Sequence, residues 1–157
     1  MDHIQKLKHT VDALFGSGVS RYLPSDMRFT FSKKNNRIRS VYHNDKILCT
    51  LRIDGGLAIS PYLAEILLQS KRFRQSCLEI DDESRPFVEQ GRSVFCQHVV
   101  WCGRNVHSSS ETVVLHRGAV VAVGKAVLSR ALIVSLKRGV AVRVRDSLKD
   151  VEVNGIS

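Results

Sequence analysis

Three sets of side chains in this sequence have the types and spacing to do chemistry. The first lies in RPFVEQGRSVF, residues 85–95, where Arg85 opens a short helix and Arg92, Ser93 and Val94 follow Gly91. Guanidinium, hydroxyl and backbone amides gathered on one turn can hold an anion, above all a phosphate. Gly91 has a structural duty of its own, since a glycine just past a helix supplies the left-handed backbone that closes the last turn. The second set is KRGVAVRVRD, residues 137–146. Side chains alternate along a strand, so Val140, Val142 and Val144 should point one way and Arg143 and Arg145 the other. Two arginines one strand pitch apart match the spacing of successive phosphates or base edges; an ordinary solvated face is the competing reading. Lys137 and Arg138 stand at the end of the preceding helix, where they also complement its dipole.

The third set is the thiols, imidazoles and carboxylates. Cys96 and His98 alternate by two on what reads as a strand, with Cys102, His107 and His116 not far away, but nothing supplies the remaining pair at a zinc spacing. Asp81, Asp82 and Glu83 are adjacent carboxylates at a helix start, which capping and the helix dipole explain more simply than acid–base work. No serine stands in a Gly-x-Ser-x-Gly elbow. FGSGVS, residues 15–20, follows a helix rather than a strand, so Gly16 and Gly18 read as a helix stop and not as a phosphate cradle. No catalytic constellation, metal or cofactor is expected.

These groups must be carried by regular elements. DHIQKLKHTVDALFG spaces Ile4, Leu7, Val11 and Leu14 as one helical face behind an Asp2 cap, with Gly16 ending the helix. MRFTF, IRSVY and KILCTLRI alternate with the polar turns SKKNN and HND as an antiparallel meander, and DGG turns into the short strand LAI. SPYLAEILLQS is a second helix with Ser60 as cap and Pro61 in its first turn. After the basic connector KRFRQS the texture changes. CLEI is a strand, DDESRPFVEQG a short helix, SVFCQHVVWC one long strand, and TVVLHR and AVVAVGKAVLS two strands joined at Arg117–Gly118. SRALIVSLKRG is a helix capped by Ser129 and stopped by Gly139, and VAVRVRD is the final strand. Many short strands with two small helices predict a barrel-like β domain.

The chain has 157 residues, enough for one ordinary domain or two small ones, and its formal charge of +9 favours polyanionic partners. Residues 1–75 hold thirteen Lys/Arg against six Asp/Glu, and residues 76–157 eleven against nine, so the first half carries most of the surplus. Four scattered cysteines without a CxxC pair read as reduced thiols of an intracellular protein. No signal peptide or membrane-length apolar run is visible, so the expected place is the cytoplasm and no membrane partner is expected. Aromatic residues make up 6% and are not interleaved with basic ones, which argues against a platform that stacks single-stranded bases. A reader of shape and phosphates, aimed at a folded RNA or an RNA end, fits better.

The order DDESRPFVEQGRSVFCQHVV, AVVAVGKAVLS, KRGVAVRVRD resembles a PUA domain, the small RNA-binding module of pseudouridine synthases and archaeosine transglycosylases. LFGSGVSRYLP and SKKNNRIRSVYHNDKILCTLRIDGGLAIS resemble the domain that precedes PUA in archaeal archaeosine tRNA-guanine transglycosylase. The resemblance implies an α+β architecture: a pre-PUA α+β domain with an antiparallel sheet over 1–75, a PUA β-barrel-like domain with two short helices over 76–152, and a tail at 153–157. The transglycosylase's catalytic barrel has no counterpart in these residues. The resemblance therefore implies a non-catalytic protein that binds structured RNA, foremost tRNA at its acceptor-stem end, beside a separate catalytic tRNA-modification subunit. The module also serves translation factors at the small ribosomal subunit, which is the alternative role. The RNA-facing loop of the family corresponds to Gly91, Arg92, Ser93 and Val94, and its basic last strand and approach to Lys137, Arg138, Arg143 and Arg145.

Overall fold

Helix α1 (His3–Phe15) starts where the sequence places it, with the Asp2 carboxylate accepting the Gln5 N–H at 2.8 Å in the computed structural model, which describes residues 2–148. The expected tail, 153–157, and the last four residues of the expected second domain lie outside that range. The buried stripe of α1 is Leu7, Val11 and Phe15. Ile4 and Leu14, expected on the same face, are exposed at 38% and 42%: one sits in the first turn and the other at the edge of the stripe. Strands β1 (Arg28–Phe31), β2 (Ile38–His43), β3 (Lys46–Leu51) and β4 (Leu57–Ile59) form the expected antiparallel meander. Helix α2 (Pro61–Leu67) is capped by Ser60, whose hydroxyl accepts the Leu63 N–H at 3.1 Å. Leu48, Leu57, Ile59, Leu63 and Leu67 are almost fully buried, and Phe15 meets Phe73 edge to face at 5.2 Å between ring centres. Burying side chains of this size stabilises by about 1.5 to 3 kcal/mol each. These residues close one compact unit at Phe73, and a second runs from Arg74.

The second unit holds β5 (Cys77–Ile80), α3 (Arg85–Glu89), β6 (Val94–Phe95), β7 (Val99–Cys102), β8 (Glu111–His116), β9 (Ala119–Ala126), α4 (Arg130–Leu136) and β10 (Val140–Ser147). Its six strands are ordered β6-β10-β9-β8-β5-β7, and only β5 and β8 run parallel. The two edge strands, β6 and β7, are consecutive in the chain and joined by a single 3-10 turn, Cys96–His98. A sheet whose two edges are three residues apart must curl on itself, and the result is a nearly closed barrel. This corrects the single long strand expected over SVFCQHVVWC. The chain has to leave β10 and reach β5 within that stretch, so it breaks at Cys96, whose N–H bonds to Gly139 O at 2.9 Å. Leu78, Ile80, Val88, Val94, Val114 and Val142 fill the interior. Helix α4 is capped by Ser129 but ends at Leu136, earlier than expected, because Lys137 itself takes the left-handed conformation at φ 52°.

The barrel is tightest where β9 meets β10. Gly124 pairs with Val144, and a Cβ at Gly124 would stand 2.0 Å from Arg143 O, a separation that real side chains do not reach. Gly124→Ala must force the two strands apart at the bulge between Val144 and Asp146. Overpacking of this kind costs about 1 to 3 kcal/mol or more. The urea midpoint of the variant should fall accordingly, and a variant as stable as the parent would show that the strands tolerate the methyl group.

Candidate nucleic-acid interface

Helix α3 is one turn long, with Pro86 in its first turn, and it ends in a double hydrogen-bonded stop. Gly91 N–H donates to Val88 O at 2.9 Å, and Arg92 N–H donates to Phe87 O at 3.1 Å, with Gly91 at φ 94°. This is the Schellman arrangement, and it fixes the direction in which Arg92 and Ser93 leave the helix. Both then line a concavity of about 260 Å³ whose other walls are Glu83, Ser84, Phe87, Val88, Phe95, Gln97 and His98. Phe87 is 57% exposed and Phe95 47%. Two open aromatic faces, a guanidinium and a hydroxyl share one recess with the Glu83 carboxylate, which sets a negative charge at one wall. That arrangement can stack a flat ring and hold an anion beside it.

Each residue singled out from the sequence has a definite place. Val94 is fully buried and pairs with Val142, so its side chain supports the loop from below. Arg85 is held by Glu89 at 2.9 Å along α3. Arg145 is gripped by both oxygens of the Glu111 carboxylate and also reaches Asp146. Its charge is therefore largely neutralised within the sheet, across strand β9. Lys137 and Arg138 are exposed, and the pairing of Val140 with Phe95 brings their turn beside the aromatic wall of the recess. Arg143 is exposed as expected and lies opposite Lys125 on β9. Like charges directly opposite on a sheet repel, but Glu111 on β8 stands opposite Lys125 on its other side and offsets part of that cost. Phe87, Phe95, Gln97 and Lys125 were not singled out by sequence reasoning, and His98 was weighed only as a metal ligand. The two phenylalanines stood within the motif itself, eight residues apart, yet only the curl of the barrel turns both towards Arg92.

The carboxylates at the start of α3 do not cap it; Ser84 occupies that place, and its side chain makes no capping bond. They hold neighbouring strands instead. Asp82 accepts from His116 Nε2 at 2.6 Å and from Arg117 at 2.9 Å, while Glu79 accepts the Gly118 N–H at 2.7 Å, so the β8–β9 turn is clamped from β5 and the segment after it. Asp81 accepts from His98 Nδ1 at 2.9 Å and from the Ser84 N–H at 2.9 Å. Burial would raise the Asp81 carboxyl, but the bonds from His98 and Ser84 outweigh it and hold it below its ordinary value. The ionised carboxylate can only accept, so Nδ1 carries the proton and Nε2 is left to face the Gln97 amide at 3.2 Å. Cys96 and His98 sit in the 3-10 turn, not on a strand, and Cys96 is buried. All four cysteines are buried, and burial pushes the Cys102 thiol up to about 11, which makes it a poor nucleophile at neutral pH.

Comparisons with known proteins match each of the two units to a domain family. Residues 77–148 match the PUA domain, and residues 5–73 match the patch-forming domain C2 of tRNA-guanine transglycosylase. Over 148 residues the chain is 28% identical to the tRNA-guanine(15) transglycosylase of Methanothermobacter thermautotrophicus, covering 92% of this chain. Over 137 residues it is 32% identical to that of Picrophilus torridus, covering 87% of this chain. The chain spans only about 23% of the length of the first of these relatives and 22% of the second. A hypothetical protein from Pyrococcus horikoshii OT3 shares the fold with a TM-score of 0.76 at 19% identity, over 97% of this chain and 95% of that one. A conserved PUA domain protein from Thermoplasma acidophilum gives 0.62 at 20% identity over 89% of each.

The Asp81–His98 contact under the recess has a pH signature. A carboxyl held low in the fold stabilises it above the unfolded value of about 3.9, and that stability is lost as pH falls through the folded value. Asp81→Asn should therefore lower the urea midpoint at pH 7, with the gap to the parent closing as pH drops below about 3.9. A gap that stayed constant across this range would mean that Asp81 acts by shape alone.

Proposed function

Because this chain joins a patch-forming C2 domain of the tRNA-guanine transglycosylase type to a PUA domain, we propose that it is a non-catalytic RNA-binding protein whose target is a structured RNA, tRNA at its acceptor-stem end. The observation that carries the reading is the recess that Arg92 and Ser93 line together with Phe87 and Phe95. An RNA end offers both things this recess suits, an unstacked base for the phenyl faces and a phosphate for the guanidinium. Lys137, Arg138 and the Arg143–Lys125 pair extend the positive surface and bind neighbouring phosphates, while Arg145 and Arg85, each paired with a carboxylate, position β10 and α3. The base exchange named for the relatives is carried out by residues outside this chain, on a separate catalytic subunit, and this chain delivers the RNA to it in the cytoplasm.

Energetically the complex gains from two sources that differ in their response to salt. Phosphate contacts release counterions, so that part of the affinity falls steeply as salt rises. Stacking on the phenyl rings is worth about 1 to 3 kcal/mol per base and responds weakly to salt.

Binding to bulk tRNA, measured by fluorescence anisotropy across a salt series, separates them. Arg92→Ala should weaken binding by about 1 to 3 kcal/mol and flatten the salt dependence. Phe95→Ala should weaken it by a similar amount while leaving the slope unchanged. A folded Arg92→Ala protein with parental affinity would remove the recess from the binding surface, and salt-independent affinity of the parent would contradict phosphate reading altogether.

A further inference from the structure

We propose that the unit ending at Phe73 contains a second phosphate site, formed by Arg21, Lys71 and Arg72 around the loop Gly16–Gly18, and that it takes the phosphodiester backbone of the bound RNA. The inference rests on the RNA-binding reading above but on a different part of the molecule. The sequence explains Gly16 and Gly18 as a helix stop, and Gly16 N–H does close α1 on Asp12 O at 2.9 Å. The structure gives the glycines a second consequence. A Cβ at Gly16 would lie 3.3 Å from the Arg72 Cβ, and a Cβ at Gly18 would lie 2.9 Å from a guanidinium nitrogen of Arg21. The missing side chains leave room into which two arginines from separate parts of the chain converge. Arg72 also donates through Nη1 to Ser17 O at 3.1 Å, which fixes its guanidinium on the loop.

The result is an open concavity of about 410 Å³, with Tyr22 and Gln69 adding polar groups to the three cations. Among the described residues no ion pair joins Arg21, Lys71 or Arg72 to a carboxylate, whereas Arg85, Arg117 and Arg145 each have one. Asp12, the acid next to this loop, is engaged with the Ser20 N–H at 2.8 Å. Three like charges on one concave surface without a counter-charge are unfavourable unless an anion is bound there. The recess is larger than one free phosphate needs. Long side chains around an open groove suit a polymer backbone, which presents phosphates in succession.

The test uses the full chain carrying Arg21→Gln with Lys71→Gln, which keep the side-chain stems and remove two charges. Lys33→Gln with Lys34→Gln, in the β1–β2 turn, removes the same charge elsewhere on the unit. The wild-type chain should bind bulk tRNA, and the first pair should weaken it about tenfold at 0.1 M salt and lower the slope of log K against log salt by about 0.7 to 0.9 for every phosphate that is no longer neutralised. The Lys33/Lys34 pair should change the slope less. Equal effects of the two pairs would reduce the site to general charge and overturn the proposal, as would a slope that the first pair leaves unchanged. Inorganic phosphate, titrated while the amide resonances of Ser17 and Gly18 are followed, tells the sources apart: phosphate shifts that saturate, together with an unaltered RNA slope, would assign the site to a free anion. Lys71→Gln alone, at an exposed position, keeps the test valid if the double variant fails to fold. A parent chain that binds no tRNA at any salt overturns the RNA-binding reading itself, and binding without the slope change overturns this second site only.

Discussion

The barrel of the second unit depends on one close approach, the backbone of β10 lying against Gly124 of β9 with no room for a side chain between them. Everything that makes the recess follows from it. With β10 drawn in at that point, Val142 can pair with Val94 and Val140 with Phe95, which ties the two-residue strand β6 to the sheet. A strand of two residues has no stability of its own, so β6 is held by its partner and by the Cys96–Gly139 hydrogen bond. The 3-10 turn that follows then carries the chain to the opposite edge. Phe95 just before that turn and His98 at its end become walls of the same cavity.

The charges divide into two populations, and the division says more than the net surplus does. Arg85, Arg117 and Arg145 are each matched by a carboxylate within the fold, and their effect is on where α3, the β8–β9 turn and β10 lie. Exposed pairs such as Arg85–Glu89 contribute little stability, about 0.2 to 1 kcal/mol. The Glu111 carboxylate, 6% exposed and gripped by both arms of Arg145, belongs to a different class, since removing one partner would leave the other poorly solvated. Arg92, Lys137, Arg138 and Arg143 have no such partner among the described residues. Their field extends into solvent, which is what a polyanion meets first.

Much of this fold could be read from the sequence because its elements are signalled locally. Asp2, Ser60 and Ser129 cap helices where the rule places them, and the Arg117–Gly118 turn joins two strands whose apolar runs are plain. The misread elements are those decided by distant partners. Nothing in SVFCQHVVWC marks a break, because Cys96 and His98 alternate as well as any strand residues do; the break is imposed by the two strands that the segment must pair with. Asp81 and Asp82 look like caps until their histidine partners, 17 and 34 residues away, are placed beside them. The recess was half legible. Arg92 and Ser93 follow from the glycine stop, whereas nothing marked the two phenylalanines as exposed, because burial depends on a barrel that local spacing does not announce.

The aromatic walls also change what kind of recognition the surface can perform. A purely basic turn holds any polyanion with similar strength, since phosphates carry no sequence information and counterion release is indifferent to the bases. If the recess takes RNA, Phe87 and Phe95 would suit a flat group that has left its own stack, and the energy of unstacking is least at an RNA end or an unpaired loop. A regular helix would satisfy the cations and leave the phenyl faces wet. On the proposed reading, the same few residues would favour an accessible terminus over continuous duplex, through the cost of bringing a base to the recess.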